Sequence, residues 1–521
     1  MSWNYSRAHS RIARFAAEAP QVRVENYDTG FASRIKAMRS EFGRDAPAGN
    51  PLYNLPAGVA VVADTVQIYV NLVNYDEQRL DEGRETEASH RRALAFLHLH
   101  YAALDRVVED AGAQRVDFHG ARLHAVIAEP AGPDFAAERV ARGLRLALDM
   151  MALSQRANRT LYDGGLEAKF RVGIDAGACV AIDSGRHDER EPLFIGSAAN
   201  HAAKLADGSE PGVFVSPGIR AIFGLAGAHV ALEQVPAATQ NELAQILKAD
   251  RRLGSTFEEL ETDAVRRVAT WQADIREHRA KTAGPSDFLF HEHRLPLRSI
   301  DYQVLMPSNS VRMALVSIFA DIDGYTDYID SAVVSHSVAD AVRNLHVIRS
   351  ELNAVIQDDF DGRKVRFIGD CIHGLIADGE GTNVNERDSV DSAAQCAGAL
   401  RSSFHLCRDL LSGVGQLGLA IGFELGPTPI SRIGIRGERS VRVASSKATI
   451  GSEACQSVCD GDETRIGDAA YAQASPTVRA FFPSQVATEL VYDDIAFQDP
   501  GSRAAAAAPE PVPAERHHAV P

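Results

Sequence analysis

Apolar and polar positions along the chain follow periods that predict a repeated order of strands and helices. Between about Val59 and Ile182, apolar runs rich in β-branched residues alternate with segments of helical spacing. The predicted strand, helix, strand, helix and strand cover 59–70, 87–112, 116–129, 136–157 and 169–182. From about Met313 the same order returns over 314–326, 334–359, 365–378, 389–413 and 418–426. The pattern indicates an internal duplication with a long period.

The segments outside the two copies differ from them in composition. Residues 240–281 combine helical spacing with alternating charge, which predicts a helical connector. The end of the chain is rich in Ala and Pro and is expected to be disordered. The sequence thus predicts an N-terminal extension over 1–56, a first copy over 57–225, a connector over 226–310, a second copy over 311–494 and a disordered tail over 495–521.

Composition excludes several classes of protein. A chain of 521 residues exceeds the usual size of one hydrophobic core, which agrees with two domains. The net charge of -16 opposes binding to a nucleic-acid polymer. No apolar run reaches the length of a membrane span and no secretory signal opens the chain, so we expect a cytoplasmic protein without membrane contact. The six cysteines form no CxxC pair and are expected to be reduced and mostly buried.

Differences between the two copies indicate where the chemistry lies. Laying "VRFIGDCIHGLIA" over "VDFHGARLHAVIA" aligns Asp370 with Ala121 and Arg366 with Asp117. The upstream strands then align Asp321 with Asp64, so the first copy is expected to have lost one of two carboxylates. Two carboxylates that converge from neighbouring strands can hold magnesium ions and, through them, a triphosphate. An isolated Asp321 would more often be a turn residue, but its pairing with Asp370 favours metal binding.

"FADIDGYT", followed about fifty positions later by "FIGDC", resembles the signature of class III nucleotidyl cyclases. The resemblance implies an α+β fold with two tandem ferredoxin-like domains, each an antiparallel sheet with helices packed on it, in a pseudo-symmetric head-to-tail pair. It implies two Mg2+ or Mn2+ ions at Asp321, Ile322 and Asp370. It also implies that the following residues bind the substrate near its phosphates: Asp323, Gly324, Tyr325 and Thr326.

The first copy resembles the complementary half of a cyclase site. Its "LFIGSAANHAAKLA" is similar to the G-x-x-x-N-x-A-x-[RK] element of the family, which implies catalytic roles for Asn200 and Lys204. Against these roles, two polar residues four apart on a helix often form only a solvated face. The second copy is expected to place Arg442 and Ser446 there. One working site per chain is therefore expected, and the other interface site should be inactive.

The base is expected to be read at Asp117 and Leu193, where the family places base-specific residues. An ionised Asp117 only accepts hydrogen bonds and Leu193 accepts none, which disfavours adenine. An acceptor suits uracil, cytosine or guanine, and Asp117 can instead simply face water. The chain is similar to the bacterial Pycsar pyrimidine cyclases of anti-phage defence. This similarity implies that UTP becomes 3',5'-cyclic UMP and pyrophosphate, and that a separate effector reads the product.

Three alternatives remain open at the level of sequence: a cytidylate cyclase, a purine cyclase with an unusual pocket, and a non-catalytic module that senses a nucleotide. Loss of the family's arginine at Lys204 is the main support for the last of these. Among the histidines, His124 and His373 align with each other on hairpin strands. We expect them to pack or to bond within the sheet and not to bind zinc.

Overall fold

A computed structural model describes residues 2–42, 50–163, 166–184, 191–250, 257–279 and 282–496. Most of the predicted disordered tail, from residue 497 onward, lies outside the described residues. No helix in these ranges is both long enough and apolar enough to cross a membrane. All six cysteines are free thiols, and four of them are buried.

The first half of the chain contains nine helices and eight strands within the described ranges. Its helices are α1 (Tyr5–Glu18), α2 (Ala32–Phe42), α3 (Asp76–Arg79), α4 (Glu87–Asp110), α5 (Ala136–Leu161), α6 (Ser197–Ala206), α7 (Pro217–Phe223), α8 (Gln240–Leu247) and α9 (Phe257–Arg276). Its strands are β1 (Arg23–Asn26), β2 (Val59–Leu72), β3 (Gln114–His119), β4 (Arg122–Ile127), β5 (Phe170–Ser184), β6 (Glu191–Ile195), β7 (Gly212–Val215) and β8 (Phe290–His291).

The second half repeats this order. Its helices are α10 (Tyr325–Val334), α11 (Val338–Ala354), α12 (Glu386–Leu410), α13 (Lys447–Ser457), α14 (Asp468–Gln473), α15 (Pro476–Phe481) and α16 (Tyr492–Ala496). Its strands are β9 (Ser310–Asp323), β10 (Arg363–Ile368), β11 (Cys371–Ile376), β12 (Gly379–Glu380), β13 (Asn383–Val384), β14 (Gly418–Ile433), β15 (Val441–Ala444), β16 (Glu463–Ile466) and β17 (Val486–Thr488).

Each copy forms one sheet with the same central order. The first sheet runs β3-β4-β2-β5 and continues to β6, and the second runs β10-β11-β9-β14 and continues to β16 and β17. The four central strands are antiparallel in both sheets. Two long helices per copy, α4 and α5 or α11 and α12, connect these strands. The predicted α+β fold with two ferredoxin-like copies is confirmed.

The strand register shows which residues of the two copies are equivalent. Tyr69 pairs with His124 and their rings stack at 4.2 Å, while Phe319 pairs with His373 and their rings stack at 4.3 Å. This packing confirms the role expected for the two histidines. Asp321 lies two residues after Phe319, and Asn71 lies two residues after Tyr69. Asp321 therefore corresponds to Asn71. The expected alignment of Asp321 with Asp64 was wrong by seven residues.

A second pair of equivalent residues, two glycines, shows which helices of the two copies correspond. A Cβ on Gly173 would approach the carbonyl oxygen of Ala202 to 2.1 Å, and one on Gly422 would approach that of Ser452 to 2.4 Å. These close approaches make α6 and α13 equivalent, with Ala202 matching Ser452. Asn200 and Lys204 therefore correspond to Ile450 and Ala454. The expectation of Arg442 and Ser446 at these places was wrong, because "SVRVASSKA" precedes the relevant turns of α13.

The two copies exchange hairpins across their interface. The hairpin between β14 and β15 packs on α4 of the first copy, where the Gly434 amide donates to His98 Nδ1 at 3.0 Å. Ile433 and Val443 of that hairpin join the apolar core of the first copy. Conversely, Val180 and Leu193 of the first copy join the core of the second. This reciprocal burial holds the pair head to tail.

The segments outside the copies also pack on them. Helix α1 lies on α11 and α12 of the second copy, where Trp3 Nε1 donates to Ser403 Oγ at 2.8 Å. The Arg11 guanidinium donates to Glu351 and Asp359, and all three side chains are buried. Strand β1 then pairs with β2 of the first copy, so the N-terminal segment bridges both copies. The connector helices α8 and α9 pack on α5.

Candidate active site

The sequence "DIDGYT" forms a sharp passage from strand to helix. Strand β9 ends at Asp323, Gly324 takes a left-handed conformation with φ of 78°, and α10 begins at Tyr325. Only glycine adopts this conformation without strain, which explains its place here. The amides of the first turn of α10 have no acceptor within the helix. The passage therefore presents backbone donors next to acidic side chains.

Three aspartates of the second copy influence one another electrostatically at this strand end. Burial and the neighbouring Asp323 raise the pKa of Asp321 to about 6. Burial and the carboxylate of Asp321 raise the pKa of Asp370 well above its usual value. Asp370 lies in the turn between β10 and β11, beside the end of β9. Carboxylates that are close, partly buried and mutually repulsive are stabilised by a divalent cation.

The oxygen ligands at this strand end suit magnesium or manganese. Asp321 and Asp370 supply hard oxygen atoms, and the backbone of Ile322 lies between Asp321 and Asp323. The Ile322 side chain itself is buried in the core. Within the described ranges no group of three or more His, Cys, Asp or Glu residues forms a metal site by itself. A site of two carboxylates is completed by substrate phosphates, as Mg2+ sites commonly are.

Helix α6 brings residues of the first copy to the same place. The amide nitrogen of Asn200 lies 3.4 Å from the hydroxyl of Thr326 in α10. One turn before it, the Ser197 amide donates to the Asp330 carboxylate at 3.3 Å. Lys204 lies one turn further along α6, and it is exposed. The structure thus places α6, which carries Asn200 and Lys204, beside α10, the helix that follows Asp321 in the chain.

Asp117 and Leu193 line a cavity of about 90 Å³ next to this strand end. The cavity is also lined by Ile368 and Gly369, which directly precede Asp370. One face comes from the first copy and the other from the second. A base bound here would therefore lie close to the carboxylates. Tyr325, by contrast, is buried in the core, with a hydroxyl that has no hydrogen-bond partner among the described residues.

The sequence did not identify three further charged residues around this cavity. Arg366 Nη1 donates to Asp117 Oδ1 at 2.5 Å. Glu191 accepts from the Phe367 amide at 3.1 Å and from the Arg442 guanidinium, across the domain boundary. Arg349 lies with its guanidinium 3.8 Å from the ring centre of Phe367. For Arg366, the sequence did contain a signal, because its alignment with Asp117 places opposite charges at equivalent positions of the two copies.

The equivalent end of the interface lacks every one of the expected catalytic groups. Asn71 and Ala121 stand at the positions of Asp321 and Asp370, and Ile450 and Ala454 stand at those of Asn200 and Lys204. There, His119 Nε2 lies 2.9 Å from Glu453 Oε2 of α13. That contact, with burial opposing it, lowers the pKa of Glu453 to about 2. The first copy has therefore lost both carboxylates, not one as expected.

Two curated relatives resemble the chain over nearly its whole length. A protein of a Rhizobium species named uridylate cyclase is 43% identical over 498 residues, which are 94% of this chain and 94% of the relative. A protein of Pseudomonas aeruginosa with the same name is 35% identical over 504 residues, or 95% of this chain and 90% of the relative. No family model matches the chain.

Among solved structures, a class III adenylyl cyclase-like ATP-binding protein from Pseudomonas aeruginosa superimposes with a TM-score of 0.79. It is 34% identical, and the match covers 95% of this chain and 99% of that one. Both copies and their head-to-tail arrangement are thus shared with a known structure. The sequence relatives and this structure agree with the family that the motifs at Asp321 and Asp370 indicate. The chain belongs to the class III nucleotidyl cyclase family, together with these uridylate cyclases.

Proposed function

We propose that the protein converts UTP to 3',5'-cyclic UMP and pyrophosphate at one site per chain. The observation that carries this proposal is the contact between Asn200 of the first copy and Thr326 of the second. It supports a composite site in which α6 faces the metal-binding strand end. The two relatives named uridylate cyclase support the choice of substrate.

In the proposed reaction, the ribose 3'-hydroxyl oxygen bonds to the α-phosphorus while the bond to pyrophosphate breaks. Asp321 and Asp370, with the backbone of Ile322, would hold two Mg2+ or Mn2+ ions. When bound, such ions promote ionisation of the hydroxyl and neutralise the triphosphate. The first-turn amides of α10, which begin at Tyr325, would donate to phosphate oxygens. Asp323, Gly324 and Thr326 would shape that phosphate site.

Residues of the first copy would act on the sugar and on the α-phosphate. The amide of Asn200 would orient the ribose so that its 3'-oxygen faces the phosphorus. Lys204, one turn away, would place its ammonium near the α-phosphoryl oxygens, where negative charge grows in the transition state. Lysine supplies a point charge without the planar fork of arginine, so we expect it to sustain the reaction at a lower rate.

The base would be held between Asp117 and Leu193. The Asp117 carboxylate would accept the N3–H of uracil, while Leu193 packs against the ring and offers no acceptor to an adenine amino group. An adenine in this cavity would place its N1 acceptor against a carboxylate. A buried polar group left unpaired in this way costs about 1 to 3 kcal/mol. This preference for an N–H donor favours UTP over ATP.

The test is to incubate the purified protein separately with UTP, CTP, GTP and ATP, in Mg2+ or Mn2+, and to identify products by mass. Asp370→Ala is the blank. Cyclic UMP formed by the protein and absent from the blank supports the proposal. If cyclic CMP, cyclic GMP or cyclic AMP is the main product, the corresponding triphosphate is the substrate instead of UTP. Nucleotide binding without any cyclic product would favour a sensing module and direct attention to Lys204.

We also propose that the product is a second messenger of anti-phage defence, read by a separate effector protein. The resemblance to Pycsar cyclases supports this role. The test compares phage plaques on cells that carry the protein with its effector and on cells that carry Asp370→Ala with the same effector. Equal plaque numbers would reject a defensive role while leaving the cyclase reaction intact.

A further inference from the structure

The base-reading positions of the two copies face each other at the interface. Asp117 pairs with His124 across its hairpin, and Arg366 pairs with His373 in the equivalent way. Each lies four residues before the turn position of its hairpin, occupied by Ala121 or Asp370. The Nη1 atom of Arg366 lies 2.5 Å from Asp117 Oδ1. The two equivalent positions carry opposite charges, and in the structure these charges form a direct ion pair.

Arg366 is held rigidly by three acceptors. Besides Asp117, its Nη1 donates to the carbonyl oxygen of Phe118, and its Nη2 donates to that of Arg442. Its side chain is 7% exposed. Both terminal nitrogens are therefore engaged with groups on both sides of the interface. The guanidinium fixes the position of the Asp117 carboxylate from one side.

The second oxygen of this carboxylate has no such partner. Asp117 Oδ2 is buried and accepts no hydrogen bond from the described residues. Asp117 also lines the cavity of about 90 Å³ that adjoins Gly369. An unpaired buried oxygen is costly unless a donor reaches it, and this oxygen belongs to a residue of the cavity wall. The arrangement is that of an acceptor prepared for one N–H group.

Charged groups around Asp117 act in opposite directions. Burial raises the pKa of Asp117. The positive charges of Arg366 and His119 and a hydrogen bond from the Phe118 backbone lower this pKa, and the negative charge of Glu191 raises it. Glu191 is itself bound to Arg442 and lies 3.7 Å from Arg349. Tyr69, Arg122, His124 and Glu453 complete the polar lining of the cavity. Arg366 makes a direct ion pair with Asp117.

We propose that Arg366 is a positioning residue that keeps Asp117 an ionised acceptor, and that this makes the pocket select uracil over cytosine. The inference rests on the proposed uridylate cyclase function. Uracil presents a donor at N3, whereas cytosine presents a lone pair there, which faces the carboxylate unfavourably. A protonated Asp117 would reverse the match, because a carboxylic acid donates one hydrogen bond.

The test measures kcat/KM for UTP and for CTP between pH 5.5 and 8.5 in saturating Mg2+, for the protein and for Arg366→Gln. Loss of the guanidinium favours the protonated carboxyl, so the acid limb of the UTP profile should move upward by about one to three pH units. The UTP-to-CTP preference should fall about tenfold at the acid end. An unchanged acid limb together with an unchanged preference would overturn the inference.

Arg439→Gln is the matched control. Arg439 also forms an ion pair across the interface, with Asp105 at 2.7 Å, but it does not line the base cavity. Its loss should leave both the acid limb and the preference unchanged. If both arginine variants lower the preference alike, the effect is general loosening of the interface and the inference fails.

Asp117→Asn provides a second test if Arg366→Gln does not fold. An amide cannot ionise and can donate to cytosine N3, so the acid limb assigned to Asp117 should disappear and relative CTP use should rise about tenfold. A variant that keeps the original preference would overturn the inference. Absence of cyclic UMP from the unchanged protein would instead reject the proposed function, which separates the two failures.

Discussion

The two ends of the interface between the copies have the same frame and different chemistry. At both ends, an aromatic ring stacks on a histidine, Tyr69 on His124 and Phe319 on His373. At both ends a glycine admits the following helix closely. Yet only one end carries the aspartates, because Asn71 and Ala121 stand at the other. The two ends therefore share their packing but differ in the polar groups that they carry.

The losses are matched across the copies. The first copy lacks the carboxylates and retains Asn200, whereas the second copy retains the carboxylates and has Ile450 at the matching helix position. Each end of the interface takes one half from each copy. The end without the carboxylates therefore also lacks the asparagine and the lysine. At that end His119 contacts Glu453, and both of these side chains also line the cavity formed with Asp117 and Leu193.

The largest effect should come from the carboxylates. Asp370→Ala should lower cyclic UMP formation at least about a thousandfold, because the ions stabilise the transition state by several kcal/mol. Rates are measured by mass detection of the product. The matched change at the other end, Ala121→Asp, should restore no second site, since Asn71 and Ile450 remain. A twofold rise in rate in that variant would contradict the comparison.

Substitution of Asn200 should lower the catalytic rate by a smaller factor. Asn200→Ala should reduce kcat by about a hundred- to a thousandfold, as expected for one preorganised polar group at a reacting centre. Ile450→Ala, the same helix position of the second copy, should leave kcat unchanged. Steady-state rates with UTP decide the matter. Equal losses in both variants would mean that α6 and α13 contribute in the same way.

Lys204 should contribute less than Asn200 because it is exposed in the structure. Lys204→Ala should lower kcat about ten- to a hundredfold, and Lys204→Arg should equal or exceed the original rate through its planar fork. Ala454→Lys supplies the control, with no expected gain. If Lys204→Ala turns over UTP normally, the charge on the α-phosphate is met by another group.

The smallest effect concerns stability without metal. Because the pKa of Asp321 is raised to about 6 and that of Asp370 is raised well above its usual value, the folded chain binds more protons there than the unfolded chain. In EDTA the stability contribution of this pair should fall as pH rises through about 6. Asp370→Asn should therefore stabilise the metal-free protein by about 1 to 3 kcal/mol near pH 7.5.

Thermal unfolding in EDTA from pH 4 to 8 measures this difference. Added Mg2+ should raise the unfolding temperature of the protein and leave that of Asp370→Asn nearly unchanged. The first copy, with Asn71 and Ala121, should make no such contribution. A metal-free protein that gains stability over the same pH range, relative to the variant, would contradict the raised pKa values.

Periodicity alone predicted most of the fold. The helical patterns over 87–112 and 389–413 became α4 (Glu87–Asp110) and α12 (Glu386–Leu410), with ends that shifted by a few residues. Long amphipathic helices and β-branched strands carry a strong signal because each buries one defined face. The packing of α1 on the second copy was not predictable, since it depends on partners such as Ser403 that lie far along the chain.

Sequence motifs fixed the positions of the candidate residues in the second copy. The equivalent positions of the first copy were mistaken, because no motif fixes the strand register there. "DIDGYT" and "FIGDC" located Asp321 and Asp370 directly. The upstream strand of the first copy offers apolar residues over its whole length, so Asp64 seemed an acceptable match. The common pattern of "YVNLVNY" and "FADIDGY" places Asn71 instead, and only the stacking partners made this alignment certain. Cross-interface ion pairs such as Arg366 with Asp117 require tertiary structure.

The docking of α1 also sets an order of events during synthesis. The ribosome adds 400 residues between Trp3 and its partner Ser403. At about 5 to 20 residues per second, this takes roughly 20 to 80 s. During that interval α1 has no surface on which to dock, although the first copy is already complete. A segment that leaves the ribosome early is therefore among the last to reach its native position, and its arrival reports that the second copy has been made.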